Sequence, residues 1–138
     1  MRIVPGLIAL ALACAAAPCW AQSTIAKIPF EFTVNDRTLP AGVYTIGETM
    51  QRAHAVRNTN GDLGSVFAIT YSVAVNQARL AQHVFRKYGD KYFLAEVWNP
   101  LKGDAMAFVK CRKEKELVTS RLVSGIRVDR VVVLARVR

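Results

Sequence analysis

Beyond Lys27, apolar side chains recur at every second position in five segments, and no long stripe repeats at intervals of three and four. Ile28, Phe30, Phe32 and Val34 alternate with Pro29, Glu31 and Thr33, and Tyr44 and Ile46 share one side of the segment Val43 to Met50. Phe67, Ile69, Tyr71, Val73 and Val75 alternate with small or polar residues, which predicts a central, half-buried strand between Leu63 and Val75. In the closing segment Val131, Val133, Ala135 and Val137 face one way, and Arg130, Val132, Leu134 and Arg136 the other. A period of two is the repeat of the pleated strand; an amphipathic helix needs 3.6.

The breaks between these segments carry turn chemistry. Asn35, Asp36 and Arg37 end a strand expected from Lys27 to Val34, and Leu39 leads into Pro40-Ala41-Gly42. There Pro40 presets φ and Gly42 permits a tight reversal, so "LPAG" reads as structural punctuation, with Leu39 and Tyr44 reaching the core on either side. Arg52 to Asn58 forms a weaker strand that runs into Asn60-Gly61, the pair best suited to a two-residue hairpin. Gly89-Asp90 suits a type II′ turn, which would set Tyr88 opposite Lys91, Phe85 opposite Leu94, His83 opposite Glu96 and Ala81 opposite Trp98. Residues 76–82 read as a loop or a helical turn, Ala105 to Cys111 as a short strand, and "RKEKEL" as a charged helical turn. The expected fold is all-β: a single small antiparallel β-barrel or β-sandwich of about seven or eight strands with at most one short helix.

The first 21 residues have a different character. Met1 and Arg2 precede an apolar, alanine-rich run from Ile3 to Ala17, and small residues follow at Cys19 and Ala21. This is the pattern of a secretory signal peptide cleaved after Ala21, leaving residues 22–138 as one β domain. The run is shorter than the roughly 20 residues of a transmembrane helix, and the mature chain is expected to hold no membrane-spanning segment. Lipid anchoring at Cys14 is disfavoured because Leu12 stands one place out of register for a lipoprotein signal. The localisation expected is therefore periplasmic or extracellular. Cleavage removes Cys14 and Cys19, so Cys111 has no partner for an internal disulfide. It also leaves 18 basic against 10 acidic residues, a net charge of +8. Such a surface favours an anionic envelope ligand; nucleic acid is not expected in that compartment.

No residue declares itself catalytic, cofactor-binding or metal-binding. His54 and His83 are the only histidines and lie in no short ligand spacing, and there is no phosphate-binding glycine loop. No cofactor is expected. The one catalytic constellation the sequence can offer is Cys111 with His83 and Glu96, which would make a small periplasmic enzyme or thiol protein. An ordinary ion pair explains His83 and Glu96 as well. Tyr88, Tyr92, Phe93 and Trp98 gather near Arg86, Lys87 and Lys91, a combination that could stack on a ring but more simply builds a core and a hairpin tip.

Three blocks, "IPFEFTV", "TLPAGVYTI" and "FRKYGDKYFLAEVW", together resemble a family of short exported proteins of Gram-negative bacteria to which no activity is assigned. Lys87 between Arg86 and Tyr88, and the very basic closing strand, depart from that pattern. The resemblance implies a β-rich fold and brings no catalytic residues. "LPAGVY" alone also resembles the strand-leading turn of prealbumin-like β-sandwich modules on bacterial surfaces. The function expected is a non-enzymatic binding or interaction module at the cell envelope, taking a lipid-like or polyanionic ligand or a protein partner. The alternatives are the Cys111 enzyme above and a structural envelope component. The sequence names no ligand-binding residue.

Overall fold

A computed structural model describes residues 23–50, 52–61, 64–74, 80–101, 103 and 105–138. The proposed signal peptide, Val75 and most of the stretch 76–82 lie outside these residues. The described chain forms eleven strand segments and one helix. They run β1 (Thr24–Ile28), β2 (Phe32–Val34), β3 (Arg37–Leu39), β4 (Gly42–Met50), β5 (Ala53–Asn58), β6 (Ser65–Val73), β7 (Gln82–Tyr88), β8 (Lys91–Trp98), β9 (Ala105–Phe108), α1 (Arg112–Ser124), β10 (Val128–Leu134) and β11 (Arg136–Val137). The fold is all-β with a single helix among the described residues, and none of it is a helix long and apolar enough to cross a membrane.

The strands hydrogen-bond in the order β10-β7-β8-β9-β6-β5-β4-β1-β11, with the β2–β3 hairpin attached to β8. This path does not close into a barrel. Its two ends are halves of one C-terminal strand: Val128–Leu134 pairs with β7, the strand is interrupted at Ala135, and Arg136–Val137 pairs with β1. A second corner lies in β6, whose first half pairs with β5 and whose second half pairs with β9. Strands that change sheet at a bend are how two roughly orthogonal sheets share their edges. The two parts are called here the front sheet (β11, β1, β4, β5 and the start of β6) and the back sheet (the end of β6, β9, β8, β7 and β10).

Proline explains the third change of sheet. The expected strand from Lys27 to Val34 is interrupted at Pro29, whose ring removes a ladder donor. β1 stays in the front sheet with β4, and β2 crosses to pair in parallel with β8. The apolar alternation survives the break, because Ile28, Phe32 and Val34 are all buried. Phe30, in the gap, stacks on Tyr92 at 3.8 Å and meets Phe85 edge-on at 4.9 Å. Tyr44 is fully buried and donates its hydroxyl hydrogen to the carbonyl of Pro40 at 2.6 Å. The "LPAG" corner is thereby tied to the core by the tyrosine four residues on, with Leu39 buried beside it.

Asn35 and Asp36 both adopt positive φ, 48° and 65°, and join β2 to β3 as a two-residue turn with Val34 opposite Arg37. This is the hairpin chemistry the sequence suggested for Asn60-Gly61. Around Gly61 the connection is instead six residues long, from Thr59 to Gly64, with Arg57 opposite Ser65, and only Gly61 of the Asn60-Gly61 pair has positive φ. Asn58 explains the change: its side-chain oxygen accepts the Asn60 N–H at 2.8 Å and begins the turn early.

β6 is reversed relative to its sequence pattern. It is central in the sheet, yet Phe67, Ile69 and Tyr71 point outward, while Val66, Ala68 and Thr70 point inward. The interior opposite β6 already holds the His54 and Phe108 rings, 6.1 Å apart, with Thr70 bonded to His54 Nδ1 at 2.8 Å. Small and polar side chains fit that space.

The expected charged helical turn is a full helix, α1, of 13 residues. It caps the outer side of the back sheet through the buried Glu114, 2% exposed. Arg86 Nη2 donates to Glu114 Oε1 at 3.0 Å, Arg86 Nε donates to Oε2, and the Tyr88 hydroxyl donates to Oε2 at 2.7 Å. The β2–β3 turn holds the same N-terminal end of the helix and reaches β6: Asp36 Oδ1 accepts the Lys113 N–H at 2.8 Å, and Asn35 Nδ2 donates to the Phe67 carbonyl at 2.9 Å.

Candidate anion-binding trough on the front sheet

The constellation of Cys111, His83 and Glu96 is not assembled. A bulge between Val84 and Phe85 leaves Ala95 as an extra residue in β8, so the pairing from the turn holds for Tyr88 with Lys91 and Phe85 with Leu94 and then slips. Val84, not His83, faces Glu96; His83 faces Val97, and Gln82, not Ala81, faces Trp98. One residue of slip moves a side chain to the opposite face. Glu96 consequently lies outside, where Arg130 Nη1 approaches its Oε2 at 3.2 Å and Trp98 Nε1 donates to the same oxygen at 3.3 Å.

His83 points inward and is completely buried. Its Nε2 lies 2.8 Å from Thr24 Oγ1, a link between β7 and β1 across the open side of the sheet path. Thr24 Oγ1 also lies 3.5 Å from the Ile46 carbonyl, so a hydroxyl donating there and accepting from a protonated Nε2 leaves Nδ1 as a bare acceptor. His83 Nδ1 has no hydrogen-bond partner among the described residues. Burial pushes the pKa of His83 down to about 4, so the imidazole is neutral at ordinary pH.

Cys111 is a half-buried thiol just before α1, and its neighbours are Asp36 and the backbone of Glu114. Burial pushes its pKa up, opposed by hydrogen bonds from the backbone of Glu114 and Asp36. A reactive thiol needs the reverse shift. The gathered aromatics are mostly core: Tyr88 and Phe93 are buried with rings 5.6 Å apart, and Lys87 lies over Tyr92 at 5.4 Å. Among the described residues, no three or more His, Cys, Asp or Glu are grouped to hold a metal ion.

The outer side of the front sheet is built differently. Register places Ser65, Arg57, Thr45, Ile25 and Arg136 in one row across β6, β5, β4, β1 and β11. The neighbouring row carries Phe67, Ala55 and Gly47. Arg57 and Arg136 on either side of Thr45 and Ile25, with Ala55 and Gly47 in the next row, line a trough of about 1120 Å³. Gly47 leaves room for Ser23 beside it in the lining, since a Cβ there would lie 3.1 Å from Ser23 Cβ.

Arg57 stands on one bank, held by its Nε donating to Ser65 Oγ at 3.0 Å, and Arg136 and Arg138 stand on the other. With strands about 4.8 Å apart, the backbones of Arg57 and Arg136 are about 14 Å apart, a span that long guanidinium arms can close on one ligand. A shallower depression of about 400 Å³ continues past Ile25 and Arg136 to Lys27 and Leu134. Among the described residues no Asp or Glu lines either depression. A second cleft, of about 580 Å³ between the β2–β3 hairpin, β8 and α1, mixes Glu31, Asp90 and Glu116 with Lys91 and Lys113 and has no single charge.

The sequence placed Arg136 only on one face of a basic closing strand and did not point to Arg57, Arg138 or Lys27. Their convergence depends on pairing partners 12 to 111 positions apart in the chain, and no local motif marks it. Compared with known proteins, the chain matches no family model, no curated protein and no solved structure.

Proposed function

We propose that this chain is a non-enzymatic β module, exported to the cell envelope, that binds an anionic ligand in the trough of the front sheet. The observation that carries this reading is the convergence of Arg57, Arg136, Arg138 and Lys27 around a floor of small residues, with no carboxylate among the described residues lining it. Guanidinium groups form forked hydrogen bonds to carboxylates, sulfates and phosphates, and Arg is suited to such planar recognition. The net positive charge of the mature chain adds long-range attraction to the same ligands.

Titration with fluorescent heparin oligosaccharide at rising salt tests this reading. The parent protein binds, and its affinity falls as salt rises, because cations that neutralise a polyanion release its counterions. Arg57→Gln with Arg136→Gln weakens binding and flattens the salt dependence. Unchanged affinity in that double variant, with native circular dichroism, overturns the trough as the site.

A further inference from the structure

Phe67, Ile69 and Tyr71 are 56%, 66% and 54% exposed, an unusual state for three successive outward residues of a central strand. They form one ridge along the corner where β6 passes from the front to the back sheet, so their side of the strand is convex. Alanines flank them: Ala55 faces Phe67 and Ala53 faces Ile69 across β5, and Ala107 faces Tyr71 across β9. Val109, also exposed, donates its N–H to the Ile69 carbonyl at 3.1 Å and extends the apolar surface. The ridge therefore stands proud of its surroundings and is no pocket.

It adjoins the trough. Phe67 shares its row with Ala55 and Gly47 of the trough floor, and Arg57 lies in the next row. At the far end exposed Arg52 precedes Ala53 and accepts the Thr70 N–H through its carbonyl at 2.9 Å. Cations thus stand at both ends of an apolar ridge. A polysaccharide would use the arginines and leave the ridge in water. A bilayer with anionic headgroups uses both, since peripheral attachment adds apolar insertion to attraction of basic residues for the lipid phosphates. Tyr71 and Phe67 supply the aromatic rings that partition to the headgroup boundary.

We infer that the anionic ligand is the headgroup layer of a lipid surface, with the ridge of Phe67, Ile69 and Tyr71 inserted and Arg57 and Arg136 on the phosphates. This rests on the trough reading and specifies its ligand. The test is co-sedimentation of the protein, purified from an exporting host, with vesicles of equimolar phosphatidylglycerol and phosphatidylcholine, with phosphatidylcholine vesicles and heparin oligosaccharide as the other arms.

Binding to the anionic vesicles and not to the neutral ones is expected. Phe67→Ser with Ile69→Ser and Tyr71→Ser cuts vesicle binding by at least about tenfold, for three apolar side chains returned to water. It leaves heparin affinity unchanged. Arg57→Gln with Arg136→Gln lowers vesicle binding about thirtyfold, each surface cation contributing about fivefold, and lowers heparin binding too. Equal vesicle binding by the ridge variant and the parent overturns the inference, as does heparin binding without vesicle binding, which leaves the trough reading standing. Binding to neither overturns both. A parent dimer that the ridge variant converts to a monomer, without vesicle binding, assigns the ridge to a second copy of this chain and also overturns the inference.

Discussion

Two outer faces of the same sheet treat arginine in opposite ways. Over β7 and β8 the chain supplies its own cover: α1 lies across the back sheet, and Arg86 is matched by the buried Glu114 and by Tyr88. Over β1, β4 and β5 Arg57 and Arg136 stand in one row with Thr45 and Ile25, and no acidic side chain lines the trough among the described residues. The difference separates an arginine matched by a buried acid of the fold from arginines along a trough that no acid lines among the described residues. A charge inside the protein needs a partner there, whereas one at a trough can be matched by a ligand.

Breaking the covered face has the largest expected effect. Glu114→Ala leaves Arg86 and the Tyr88 hydroxyl without their acceptor and costs on the order of 3 kcal/mol, as for other broken buried pairs, read as a lower urea midpoint. The Tyr88 hydroxyl, pushed up to about 12 by burial and then by its bond to Glu114, remains a donor throughout the neutral range.

Acid acts next, at the seam joining the two faces. His83 binds a proton near pH 6.5 when unfolded and near pH 4 when folded. Between those values the unfolded state holds more protons, so stability falls as pH drops through that window. Above pH 6.5 the contribution is constant; by pH 4 the loss reaches about 3 kcal/mol. Urea midpoints measured from pH 7 to pH 4 follow that slope, and His83→Leu flattens it.

Tyr44→Phe removes the hydrogen bond to Pro40 that braces the entry to β4 and costs about 1 kcal/mol, measured the same way. At the low end, Arg57→Ala and Arg136→Ala change stability by less than about 0.5 kcal/mol, although both lower anion binding. A stability loss at Arg57 as large as that at Glu114 would erase the contrast between the faces. Finally, Cys111 reacts with iodoacetamide more slowly in the folded protein than in the urea-unfolded chain, and Cys111→Ser leaves heparin binding unchanged.

Much of the fold was legible because alternation and turn chemistry are local. The all-β class, the inward set Ile28, Phe32 and Val34, the corner at Pro40 and the Gly89-Asp90 turn all follow from residues within a few positions of one another. What escaped was decided at a distance. The bulge at Ala95 displaces His83 from Glu96 and has no glycine or other local marker. β6 carries a strong pattern whose sense is set by which rings fill the interior, so periodicity identified the strand and assigned its faces the wrong way round. The trough was illegible for the same reason: Arg57 and Arg136 belong to one row only once β5, β4, β1 and β11 have paired. Asn35 and Asp36, read only as a turn, also tether β6 and α1 through single side-chain bonds that no sequence pattern announces.

Amide hydrogen exchange with and without heparin oligosaccharide tests the central claim most directly, because it locates binding on one face or the other. Slowed exchange confined to β1, β4, β5 and β11, with α1 and β7 unchanged, is the predicted result. Slowed exchange at α1 and β7 alone, or none anywhere at saturating ligand, would contradict the assignment of the uncovered face as the binding face.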